Sequence, residues 1–127
     1  AYRVEAGGRI FVFTGDSGPS ARLARLARNA DVLVSEVVEP VTIAAALEKQ
    51  MANAPAAVRQ GIIGGMSRNH LTPEAVGKMA AEAQVKQVVL THFVPSPEAV
   101  ADQGIYQKEI GRSYKGPVGL AHDLDRF

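Results

Sequence analysis

A chain of 127 residues fits one domain of ordinary size, and 46% apolar residues are enough for a core. A net charge of +1 creates no field that would gather nucleic acid or a membrane surface, and the absence of cysteine excludes disulfides and thiolate metal sites. No apolar run approaches a membrane span, so a soluble protein is expected, cytoplasmic or periplasmic, with nothing in the composition to choose between them.

Tyr2, Val4 and Ala6 alternate with Arg3 and Glu5, and Gly7-Gly8 follow. The pattern predicts the first arm of an antiparallel hairpin. Ile10-Phe11-Val12-Phe13 is an unbroken apolar run with the length of a strand buried on both faces. It gives way to Thr14-Gly15-Asp16, and Ser17-Gly18-Pro19 reads as turn and helix start. A carboxylate just past the carboxyl end of a central strand stands where open α/β sheets collect ligands. An Asp in such a cluster is also a common turn or capping residue. From Pro19 to about Asn29 a helix is predicted, with Leu23, Leu26, Ala27 and Ala30 inward. Arg22, Arg25 and Arg28 form its solvated outer face rather than a phosphate-binding stripe.

Asp31 to Val38 is a second buried strand, carries Glu36 among apolar residues, and is stopped by Pro40. Val41 to about Ala52 is an Ala-rich helix with Ile43, Leu47 and Met51 at steps of four. Residues 53–69 hold Pro55, Gly61, Gly64 and Gly65 without a clear period, which predicts a long loop or a broken helix. Thr72-Pro73-Glu74 caps and opens the next helix, which runs to about Gln84. Val85 to Thr91 is a third strand ending in His92. Ser96-Pro97-Glu98 repeats the helix start, and that helix runs to about Arg112 with a break at Gly104. Pro117 to Ala121 is a short last strand, followed by His122, which reads as structural because nothing near it completes a site.

Strands alternating with helices predict a layered α/β architecture. Parallel strands joined by right-handed crossovers present their carboxyl ends on one edge, so Asp16, Glu36 and His92 are expected on one rim, within reach of His70. An Asp and two His beside a buried Glu are the groups a metal site or an acid/base site requires. Each also has a plain structural use: Glu36 in an ion pair, His92 bonded to backbone, His70 preceding a cap.

Taken together, the motifs resemble the C-terminal half of the metallo-β-lactamase fold, in the branch of ribonuclease Z and arylsulfatase-type hydrolases. Thr14-Gly15-Asp16-Ser17 is similar to the strand-end Gly-Asp-Thr/Ser of that family. Leu33-Val34-Ser35-Glu36 is similar to its Glu-bearing strand. Asn69-His70-Leu71-Thr72 resembles the segment whose His pairs with that Glu, Val89-Leu90-Thr91-His92-Phe93 the final ligand strand, and Gly119 to Leu124 the closing strand.

The resemblance implies half of a four-layer αββα sandwich, with a mixed sheet carrying helices on its outer face. It implies Asp16 and His92 as metal ligands, and His70, oriented by Glu36, as the group assisting the leaving oxygen. The cofactor would be divalent metal, zinc foremost, with two ions in a complete site. The reaction would be hydrolysis of a phosphodiester, sulfate ester, ester or lactone by a metal-bound hydroxide.

Two departures stand out. The His-x-His-x-Asp-His motif of the N-terminal half is not in this chain, which has three histidines. Ser35 stands where ribonuclease Z proper often has His, which favours a small-molecule substrate over nucleic acid. With two ligands where a catalytic zinc takes about three from protein, residues 1–127 are expected to be the C-terminal half of a larger hydrolase, inactive alone; an opening Ala1 in place of Met fits such a piece. The exposed sheet face would take either the missing half or a second copy. An inert half-domain acting as a scaffold is the alternative. A phosphate-binding module is a weaker one, because GxGxxG and the Walker pattern are absent.

Overall fold

The computed structural model describes residues 1–127. β1 (Tyr2–Ala6) and β2 (Arg9–Phe13) form the expected antiparallel hairpin. Gly7 and Gly8 turn it at φ 57° and 74°, backbone angles that a two-residue hairpin turn requires and glycine adopts freely. β3 (Val32–Val38), β4 (Gln87–Val94) and β5 (Val118–Leu120) then add in parallel, in the order β1-β2-β3-β4-β5. The helices are α1 (Ala21–Leu26), α2 (Pro40–Gln50), α3 (Ala56–Asn69), α4 (Pro73–Glu82) and α5 (Gly104–Ile110), with a 3₁₀ turn at Pro97–Ala99.

Strand register divides the sheet into two unlike faces. Val12, Leu33, Val88 and Val118 lie in one row, with Leu90 and Leu120 beside it. These side chains pack with Leu23 and Ala24 of α1, Val76 and Met79 of α4, and Tyr106 and Ile110 of α5 in a single core. Each fully buried Leu or Val there contributes about 1.5–3 kcal/mol. The opposite row runs Tyr2, Phe13, Val34, Val89, Gly119 across all five strands, and none of it enters that core. Tyr2 is 75% exposed and Phe13 41%. Phe127 lies against this face, with a ring atom 3.0 Å from where a Cβ on Gly119 would stand. Half of the expected sandwich is therefore present: a mixed sheet with helices on one side.

The outlines differ from expectation in four places. α1 starts only at Ala21, where the Ser20 hydroxyl accepts from the Leu23 amide. Pro40 opens α2 instead of merely stopping a strand, and the buried Glu39 carboxylate caps the helix through the Val41 and Thr42 amides. Residues 56–69, expected as loop or broken helix, form the continuous α3 despite three glycines. The last helical stretch breaks before Gly104, as expected, but the part ahead of the break is only a 3₁₀ turn and α5 alone is α-helical. α2 and α3 bury no residue and pack mainly on each other, and a hydrogen bond of 2.9 Å from the Val38 amide to the Leu71 carbonyl closes the base of this excursion. No helix is long and apolar enough to cross a membrane.

Asp31 ties the start of β3 to its neighbours. It accepts from Lys86 Nζ at 2.8 Å and from the Ile10 amide at 2.7 Å. Lys86, then the amide, holds its carboxyl below the usual value of 3.8. A lowered folded-state pKa contributes stability above pH 3.8 that is lost as pH falls through the lower folded value. The urea midpoint gap between wild type and Asp31→Asn should therefore be constant from pH 5 to 7 and shrink below pH 4.

Candidate active site at the carboxyl rim

β2 ends at Phe13, and the next four residues wrap around Glu36. The buried Thr14 hydroxyl accepts from the Glu36 amide at 3.1 Å. Ser17 donates its hydroxyl to the Thr14 carbonyl and its amide to Glu36 Oε1, the latter at 2.7 Å. Asp16 is the exposed tip of this loop, so the local hydrogen bonds fix the backbone and leave the Asp16 carboxylate free to face the rim.

Glu36 is not the end of β3, which continues to Val38, and its side chain is 1% exposed. Its second oxygen, Oε2, lies 2.7 Å from His70 Nδ1. A carboxylate only accepts, so Nδ1 donates and Nε2 is directed away from Glu36. His70 is placed by the end of α3: its amide donates to the Met66 carbonyl, and the following Thr72 caps α4 through the Ala75 amide.

His92 is not the end of β4 either. Glu36 pairs with Thr91 but Val37 pairs with Phe93, so His92 is the extra residue of a β-bulge, at φ 46°. Strict alternation after Leu90 and Thr91 would send His92 into the helix-side core. The bulge gives that place to Phe93, which packs on the core and edge-on to Tyr106. His92 is turned instead to the open face, where Nε2 lies 3.3 Å from Asp16 Oδ1. Both side chains are about 60% exposed.

A shallow cavity of about 290 Å³ collects Phe13, Gly15, Asp16, Val34, Glu36, Thr91 and His92. It opens on the helix-free face of the sheet, at the carboxyl rim of the parallel strands. The four expected residues thus form two pairs, Asp16–His92 and Glu36–His70, joined through the Ser17 amide. His122 stands apart, its amide and ring bonded to Asp125. Arg22, Arg25 and Arg28 are exposed on and just beyond α1, away from the cavity. Ser35 is fully buried, its hydroxyl on the Glu36 carbonyl, and does not line the cavity. Sequence reading quoted Thr14 and Ser17 as flanks of the Asp16 motif without giving them a role, and it did not single out Glu39, whose only signal was a Glu preceding Pro.

An aspartate oxygen and an imidazole nitrogen 3.3 Å apart, both open to solvent, are donor types that a divalent cation takes. They are two donors only, and no group of three His, Cys, Asp or Glu gathers anywhere in the chain. The pair therefore fits part of a cation site.

No protein-family model matches the chain. Ribonuclease Z of Thermobifida fusca is 30% identical over 125 residues, which cover 98% of this chain and 33% of that protein. Ribonuclease Z of Brevibacillus brevis is 36% identical over 91 residues, covering 72% of this chain and 23% of that protein. The metallo-β-lactamase fold protein YhfI from Bacillus subtilis superposes with a TM-score of 0.63 over 94% of this chain and 39% of its own, at 23% identity, a likeness of fold. The chain spans less than half the length of each of these proteins.

Proposed function

The chain belongs to the metallo-β-lactamase fold, on its ribonuclease Z branch, and from that premise we propose that it carries the carboxyl-side part of a metal-dependent phosphodiester hydrolase site. The observation that carries this reading is the pairing of Asp16 with His92 on the same rim as the pair of His70 with the buried Glu36. Of the four bonds the resemblance allows, a phosphodiester is favoured because the relatives in sequence are ribonucleases. A small phosphodiester is the proposed substrate, because a net charge of +1 gathers no polyanion, and RNA is the second reading, supported by the relatives' name.

In this reading Asp16 and His92 hold the cation, zinc foremost, and further ligands come from a segment outside residues 1–127. A bound divalent cation supplies a water acidic enough to act as hydroxide near neutral pH. His70 hands a proton to the departing oxygen, from Nε2, while its Nδ1–H stays on Glu36. Glu36, out of solvent, keeps the imidazole in one orientation. The apolar stripe from Tyr2 to Val89 is the surface that receives the complementary half, and in its absence a second copy of the chain.

Three measurements test the proposal. The reading frame upstream of Ala1 should encode His-x-His-x-Asp-His; its absence there removes the half-site reading and leaves the inert scaffold. In the protein carrying both halves, His70→Ala should slow hydrolysis of an alkyl phosphodiester, whose alkoxide leaving group needs a proton, by about 100-fold or more while zinc content stays near wild type. Loss of zinc from that variant would reassign His70 as a ligand, and faster turnover of an RNA oligonucleotide than of the small diester would establish the second reading. Sedimentation of residues 1–127 should show concentration-dependent pairing, and a well-folded monomer at high concentration counts against occupancy of the stripe by a second copy.

A further inference from the structure

Asp16 has no hydrogen-bonded support of its own: beyond His92 no partner holds its carboxylate, and it sits at the tip of a loop. What anchors that loop next to Asp16 is the Ser17 amide on Glu36 Oε1, at 2.7 Å. The other oxygen of the same carboxylate holds His70. Glu36 is buried at the point where β3 and β4 fall out of register, so its carboxylate has little room to shift. Its own amide is pinned by Thr14, the first residue of the same loop. Loop and carboxylate therefore close a small ring, Thr14 to Ser17 and back through Glu36.

We propose that Glu36 is a positioning residue for the Asp16 loop as well as for His70, so that cation affinity at Asp16 and His92 depends on a carboxylate that touches neither. This rests on the metal reading of Asp16 and His92 given above, and adds a role for Glu36 separate from proton donation. Partners that orient a metal ligand without touching the metal typically change affinity by 10–100-fold when removed.

Three variants, made in the protein carrying both halves, separate the roles. Glu36→Ala removes both contacts. His70→Ala removes one and leaves the loop contact. Glu36→Gln can still accept from the Ser17 amide through its carbonyl, but offers His70 an N–H in place of an oxygen, which inverts the imidazole tautomer. The readouts are Ser17 amide exchange and imidazole ¹⁵N shifts by NMR, and Mn²⁺-induced broadening of Asp16 and His92 signals during titration with the metal alone. In Glu36→Ala, Ser17 exchange should quicken and Mn²⁺ affinity fall by about tenfold or more. His70→Ala should keep both within about threefold of wild type, by the same scale. Glu36→Gln should keep Ser17 protected while the His70 shifts report the other tautomer.

Equal Ser17 exchange in wild type and Glu36→Ala overturns the proposal, as does an equal loss of Mn²⁺ affinity in His70→Ala. Should Glu36→Ala not fold, loss of Ser17 protection in Glu36→Gln overturns it. Absence of broadening at Asp16 and His92 in wild type overturns the metal reading itself, and the Ser17 exchange rates then still decide whether Glu36 holds the loop.

Discussion

Replacing His92 by glycine should abolish divalent-cation binding at the rim and at the same time make the fold more stable. The first effect is loss of the imidazole, and the second comes from the backbone. His92 holds φ 46° as the extra residue of the β3–β4 bulge. A side chain in that region costs about 1–2 kcal/mol, because Cβ crowds the neighbouring carbonyl. Nothing in the core rewards it: the ring is 60% exposed and its one polar partner is Asp16. Glycine removes the crowding, and its own greater chain entropy when unfolded offsets about 0.5–1 kcal/mol of the gain. A net rise of about 0.5 kcal/mol in unfolding free energy is expected from urea titration. His92→Asn, which tolerates the same φ, should move in the same direction. His92→Ala should lose the cation and gain no stability. A glycine variant less stable than wild type would mean that the imidazole holds the bulge together.

Gly18→Ala should pull the two halves of the site apart. A Cβ at position 18 would lie 2.1 Å from the Arg68 carbonyl oxygen and 3.1 Å from its carbon. The obstacle is backbone, so no rotamer relieves it. Gly18 follows Asp16 and Ser17, and Arg68 lies in the last turn of α3, just before His70. The contact thus sets how closely the Asp16 loop seats on the segment that presents His70. Forcing a methyl group into it should destabilise the fold by about 1–3 kcal/mol, the range for overpacking. Gly61→Ala serves as the control, since no atom lies within 4 Å of a Cβ there, and as a helix-interior change it should raise stability by about 0.5–1 kcal/mol. Thermal melts distinguish these outcomes. A Gly18→Ala protein as stable as wild type, with the His70 and Glu36 resonances unmoved, would show that the loop has slack.

The sequence made the strands and their rim legible through unbroken apolar runs at Ile10–Phe13, Val32–Val34 and Val88–Leu90, although β2 is not buried on both faces as expected: Val12 is buried and Phe13 is 41% exposed. The Thr72-Pro73-Glu74 start was legible for a local reason: the Thr72 hydroxyl on the Ala75 amide is a bond between near neighbours. α3 was not legible. Its apolar residues keep no period and its three glycines read as breaks, whereas α2, which also buries no residue, carries Ile43, Leu47 and Met51 at steps of four. The bulge at His92 was hidden as well, since alternation through Leu90-Thr91-His92 carries no sign that an extra residue is inserted. Glu39 was hidden behind Pro40, which marks a strand's end and a helix's start equally well. Asp16, Glu36, His70 and His92 could be named from residue chemistry and resemblance, whereas the ring of bonds joining Asp16's loop to Glu36 comes only from the coordinates.

The α2–α3 excursion has an evolutionary consequence. Its base is closed by the Val38–Leu71 hydrogen bond, and everything beyond Glu39 and before His70 contributes nothing to the core. Residues 40–65 can therefore change in length or sequence without loss of core packing, whereas Met66 and Arg68 stay tied to His70 and to Gly18 beside the site.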